Sequence, residues 1–150
     1  MKKTIYAVVF LALLFSSCAN EFNKVYKSTD NNFKYEYAKE SFVKGKYVRA
    51  SSLLQGLVTM QKGSENAQES LYMLGLSEFN SRDYEGAAAT FKKYCQSYPK
   101  GYYTQEARFL IGMSLYNCTP EPRLDQSQTV NAIAAFQEYI DLYPDGKQKK

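Results

Sequence analysis

Residues 91–101 read FKKYCQSYPKG, and residues 136–146 read FQEYIDLYPDG. Phenylalanine, both tyrosines, proline and glycine recur in the same places, so the two stretches are copies of one pattern set 45 residues apart. The first copy closes an apolar rhythm of three and four residues: Ala87, Phe91, Tyr94, Cys95 and Tyr98. That rhythm predicts an amphipathic helix. The proline then stops it, because it has no N–H to donate and pushes the preceding residue out of helical geometry.

A helix-ending motif that recurs implies a repeating unit. Ahead of the first copy, LYMLGL sets Leu71, Leu74 and Gly75 at helical spacing, and DYEGAAATF supplies Tyr84, Ala87 and Phe91. A weaker copy precedes it, with Tyr37-Ala38, Gly45, Tyr47 and Ala50, and with Leu54 where phenylalanine is expected. A third begins at ARFLIGMSLY with Ile111-Gly112 and resumes at Ala132, Phe136 and Pro144. The small residues Ala38, Gly75 and Gly112 are separated by 37 residues at each step. A small residue lets the two helices of a hairpin approach, and the phenylalanine is expected to fill the space where the next hairpin stacks. A Leu–small pair, then A-x3-F, then proline resembles the tetratricopeptide repeat. The expected fold is therefore all-α: a right-handed solenoid of about three hairpins, over roughly 33–62, 67–99 and 104–144.

The prolines are 45 apart because the third hairpin is split. Eight extra residues lie within NCTPEPRLDQSQT (117–129), where two prolines end the first helix. Asp125, with Gln128 three residues later, resembles a capping box opening the second. The excursion 119–129 reads either as a plain loop or as a protruding contact, with Arg123, Leu124, Asp125 and Gln126 as its handles.

The N-terminus is an address. MKKTIYAVVFLALLFSSC has a basic start, then 11 apolar residues from Ile5 to Phe15, then small residues before a cysteine. That run is too short to span a bilayer and suits a signal peptide over 1–17. Leu14-Phe15-Ser16-Ser17-Cys18 resembles a relaxed lipobox, with Phe15 in place of the usual aliphatic residue. The resemblance implies that Cys18 is acylated, each buried methylene adding ~0.8 kcal/mol of membrane affinity. Ala19 in place of aspartate favours delivery to the outer membrane. Residues 18–32 are polar and are expected to form a tether. Residues 147–150 form a basic tail, at which the solenoid is expected to be incomplete, with the apolar back of its last helix open.

Composition narrows the function. Among 150 residues there is no histidine, which removes the commonest general base and metal ligand. Without Lys2 and Lys3 the chain carries 17 basic and 15 acidic residues, too balanced to argue for nucleic acid. No convergent acid pair or activated nucleophile can be assembled, so no enzyme is expected, and no cofactor or metal. Cys95 and Cys118 are expected near opposite ends of neighbouring helices, as unbridged small apolar residues.

A lipoprotein signal, a short tether, tetratricopeptide hairpins and a third hairpin split by P-x-P-R-L-D-Q-S together resemble the N-terminal part of the BamD family. These are outer-membrane lipoproteins of the β-barrel assembly machine. The resemblance covers the whole chain, although family members continue for about two more hairpins. It implies a non-catalytic scaffold that faces the periplasm, receives unfolded outer-membrane proteins and contacts BamA, the barrel subunit. Other periplasmic tetratricopeptide adaptors remain an alternative. Glycan-binding lipoproteins on similar helices fit less well, because tryptophan is absent.

The 37-residue period also proposes a site. Tyr35, Tyr72 and Phe109 share one register, and Phe42, Phe79 and Tyr116 share another seven residues later. Seven residues are about two helical turns, so both ladders lie on one face of the first helices. They either pack the core or line a concave groove for a peptide. The family resemblance implies a guest segment ending in an aromatic residue and a free carboxylate, which Lys39 and Arg108 would flank.

Overall fold

The computed structural model describes residues 21–60, 63, 66–121 and 123–146. The signal peptide, Cys18 and the basic tail lie outside the described residues. Those described form seven helices and no strand. A short helix α1 covers 21–27. Three hairpins follow: α2 (Asn31–Val43) with α3 (Tyr47–Met60), α4 (Ala67–Asn80) with α5 (Tyr84–Ser97), and α6 (Thr104–Asn117) with α7 (Ser127–Leu142). From α2 onward each helix packs on its successor, which is the contact pattern of a solenoid.

The repeated motif explains how each hairpin closes. Gly75 and Gly112 face the rings of Phe91 and Phe136, and a Cβ on either glycine would come within 2.6 Å of its ring. Small residue and phenylalanine are thus halves of one contact inside a hairpin, rather than separate devices within and between hairpins as the sequence suggested. The Tyr94 hydroxyl accepts from Gln68 Nε2 at 2.6 Å and from the Tyr103 N–H at 3.2 Å. Tyr139 repeats this with Gln105 Nε2 at 3.2 Å. Each hydroxyl needs room beside the closing glycine: a Cβ on Gly101 would lie 2.8 Å from the Tyr94 oxygen, and one on Gly146 would lie 2.5 Å from that of Tyr139. The Gly101 and Gly146 N–H groups donate to the carbonyls of Tyr98 and Tyr143 at 3.0 and 2.9 Å, turning the chain after each proline.

The turns inside the first two hairpins are also copies. Gly45 and Arg82 both have positive φ, 71° and 67°. The next N–H, of Lys46 or Asp83, donates back to Ser41 or Glu78, which satisfies carbonyls that a helix end leaves orphaned. Asp83 then caps α5 by accepting from the Gly86 N–H at 3.1 Å.

Two expectations change. The segment 21–27, assigned to the tether, is helical, and its Val25 is buried beside Tyr35, Leu53 and Leu57. Phe22 meets the Tyr37 ring at 6.5 Å and the Arg49 guanidinium at 5.5 Å. Among the described residues, α1 is what covers the outer flank of the first hairpin. The proposed capping box does not form: α7 begins at Ser127, and Asp125 accepts from the Ser127 N–H and hydroxyl at 3.0 and 2.7 Å. Cys95 and Cys118 are both free, the first buried and the second half-buried, and burial pushes both thiols up.

Candidate functional site

The two aromatic ladders have different fates. Tyr35 and Tyr72 are buried. Tyr72 stacks on Tyr103 at 4.2 Å with the rings 2° from parallel, and it meets Phe91 and Tyr94 at 5.9 and 5.7 Å. Burial, and next the Glu106 carboxylate in the first turn of α6, raise its phenol above the ordinary range. Tyr35 repeats the pattern, with burial first and Glu69 in the first turn of α4 next. Phe109 is half-buried, against Phe136 and Tyr139 at 5.9 and 5.6 Å. Tyr35 and Tyr72 therefore pack toward the following hairpin, while Phe109 packs within its own. The ladder is packing, and it is not an open groove.

The second ladder is more accessible. Phe42 and Phe79 are half-buried, each edge-on to the first residue of the following helix, Tyr47 at 5.5 Å and Tyr84 at 5.4 Å. Tyr116 is 59% exposed. Beside them stand Leu76 and Met113, both half-buried. They share a register with Lys39 at 37-residue steps, so the period that gave the aromatic ladders could have supplied them too. Leu76, Phe79, Met113 and Tyr116 make a half-exposed apolar ledge across the second and third hairpins.

Lys39 and Arg108 do not flank one groove. Lys39 directly follows the small residue of its helix, lies over the Tyr35 ring at 5.1 Å and pairs with Glu36 at 3.6 Å. Arg108 sits four residues before Gly112, at the position of Leu71 in the preceding repeat, and turns to a different face. There it pairs with Glu138 of α7. It lines a cleft of about 600 Å³ between α5 and α7, floored by Ile111 and Leu115 of α6 and walled by Lys92, Cys95 and Ala134.

The inserted loop runs from Cys118 to Gln126 and presents Arg123 and Leu124, the latter 61% exposed. Asp125 and Gln126 are engaged within the loop. Gln126 Nε2 donates to the carbonyls of Glu121 and Leu124, each at 3.0 Å, and Gln126 Oε1 accepts from Thr129 Oγ1 at 2.7 Å. They shape the loop, while Arg123 and Leu124 are its outward groups. No group of three acidic or cysteine side chains among the described residues could hold a metal ion.

Three helix hairpins, each helix packed on its successor, define a tetratricopeptide-type solenoid. The family described as outer membrane lipoprotein, YfiO, matches residues 27–150, and the chain belongs to that family. No curated protein matches the chain.

Proposed function

We propose that this protein is a non-catalytic scaffold of the outer-membrane β-barrel assembly complex, held by acyl chains on Cys18 and facing the periplasm. It receives unfolded outer-membrane proteins along its ledge and contacts the barrel subunit through Arg123 and Leu124. Membership of an outer-membrane lipoprotein family supports the location. The observation that supports the receptor role is the ledge itself: Leu76, Phe79 and Met113 are half-buried and Tyr116 is exposed, whereas Tyr35 and Tyr72 of the neighbouring ladder are buried. Adjacent apolar and aromatic side chains on a fixed scaffold suit an extended segment whose own aromatic residues alternate with polar ones.

The test is fluorescence anisotropy with a labelled peptide from the C-terminal strand of an outer-membrane barrel protein. Phe79→Ala and Tyr116→Ala are each expected to weaken binding about tenfold, near 1.4 kcal/mol, with helical content unchanged. Unaltered affinity in both variants would remove the receptor role and favour a general envelope adaptor.

A further inference from the structure

The repeat allows the two junctions between hairpins to be compared position by position. A step of 37 residues relates α3 to α5 and α4 to α6, and a step of 45 relates α5 to α7, as Ala50, Ala87 and Ala132 show. In the first junction Glu78 of α4 is buried, together with Leu71 and Leu74 of the same helix. Gln55 of α3 and Thr90 of α5 stand against its carboxyl and favour the ionised form. That junction carries its own carboxylate, held between the two flanking helices. In the second junction all three residues change: Leu115 stands for Glu78, Lys92 for Gln55 and Ala135 for Thr90. Arg108 also stands for the buried Leu71. The carboxylate has gone, two cations have arrived, and the shorter Ala135 leaves space. All four of these residues line the cleft of about 600 Å³ between α5 and α7, a volume typical of a binding pocket.

The cations are open to a new partner. Lys92 is exposed and has no ion-pair partner among the described residues. Arg108 pairs with Glu138, whose side chain is 62% exposed. A pair with so open a partner is weak, and the guanidinium fork can take a second carboxylate beside Glu138 or in its place. An arginine standing where the repeat packs a leucine breaks the local pattern, and such departures gather at functional sites. The rim residues Lys92, Gln96, Asn131 and Glu138 are all exposed, so the cleft opens outward and suits side chains presented by another protein. We propose that this cleft docks a partner protein through an aspartate or glutamate set beside an aliphatic residue: Lys92 and Arg108 take the carboxylate, and Ile111, Leu115 and Ala134 take the aliphatic group. The partner supplies the carboxylate that the second junction lacks. Ile111 and Leu115 leave α6 on a different face from Met113 and Tyr116. The docking site is therefore separate from the ledge and does not depend on the receptor role.

The experiment is proton–nitrogen correlation NMR of the full chain in detergent micelles, titrated to millimolar concentrations of capped tetrapeptides. The probes are alanyl-aspartyl-leucyl-alanine amide, its neutral isostere with asparagine in place of aspartate, and acetate. The expected result is saturable shifts at Lys92, Gln96, Arg108 and Asn131, with the aspartyl peptide binding about tenfold more tightly than the asparaginyl one. Leu115→Glu returns the internal carboxylate and should abolish binding. Leu115 is buried and that variant may not fold, so Lys92→Gln, at an exposed position, is measured beside it and should weaken binding about threefold with helical content unchanged. Equal affinity for the two peptides, a response to acetate as strong as to the aspartyl peptide, unaltered binding in Lys92→Gln, or no saturable shift at all would each overturn the site. Shifts confined to Phe79 and Tyr116 would support the ledge and overturn the cleft, so the two readings fail separately.

Discussion

Replacing Gly75 with alanine tests the contact on which each hairpin is built. In an ordinary mid-helix position this change stabilises by about 1 kcal/mol, because alanine loses less backbone entropy than glycine. At Gly75 the added Cβ would lie 2.6, 2.8 and 2.9 Å from three atoms of the Phe91 ring. The ring cannot easily retreat: Phe91 is fully buried, with Tyr72 packed against it at 5.9 Å. Overpacking of this kind costs about 1–3 kcal/mol, which cancels or exceeds the gain in helix propensity. Gly56 is the control. It lies inside α3 with nothing within 4 Å of its would-be Cβ, so Gly56→Ala keeps the whole gain. Urea titration followed by circular dichroism should therefore separate the two variants by about 1–3 kcal/mol, with Gly56→Ala above the parent. Gly75→Ala combined with Phe91→Leu should recover part of the overpacking loss, because the smaller side chain leaves room for the methyl group. If Gly75→Ala stabilised as much as Gly56→Ala, the interlock between the small residue and the phenylalanine would be refuted.

Other consequences can be checked in the same assay. Arg82→Gly should stabilise by about 0.5–1 kcal/mol, since a left-handed non-glycine residue costs about 1–2 kcal/mol and glycine returns part of that as entropy; a destabilised variant would mean that the Arg82 side chain holds the turn. Tyr94→Phe leaves the Gln68 amide and the Tyr103 N–H without their acceptor and should cost about 1–3 kcal/mol; an unchanged midpoint would show that water replaces the hydroxyl. Glu78 is buried between hairpins, and desolvation raises its carboxyl above the ordinary 4.5, opposed by Thr90 and Gln55. A raised folded-state value means that the folded protein holds the proton more tightly than the unfolded chain does. The stabilising contribution is thus complete below 4.5 and is lost as the pH rises through the folded value. Glu78→Gln should flatten that fall and be the more stable form at neutral pH, and parallel pH profiles for the two proteins would contradict the assignment.

Much of this architecture is legible in the sequence because it is periodic. The 37-residue step finds Ala38, Gly75 and Gly112, and from them the helices, their order and the inward faces. The split third hairpin follows from its prolines. What escaped the period is what lies outside the helices or at the end of the stack. Tyr72 is buried by Tyr103, a residue of the link between hairpins that no helix register can place. Helix α1 has only seven residues, and its Phe22 and Val25 become an apolar stripe only once the flank of the first hairpin is there to receive them. Arg108 is a different case, because its register was available: it stands where Leu71 stands, and Lys39 stands where Leu76 stands, so the two cations could not share a face.

The most direct test of the account is affinity purification of the tagged, natively expressed protein from detergent-solubilised membranes, with the co-purifying chains identified by mass. The scaffold reading predicts recovery of a large outer-membrane barrel protein with periplasmic domains, lost when Arg123 and Leu124 are replaced together by alanine. Recovery of cell-wall enzymes in its place, or of no outer-membrane protein at all, would contradict it.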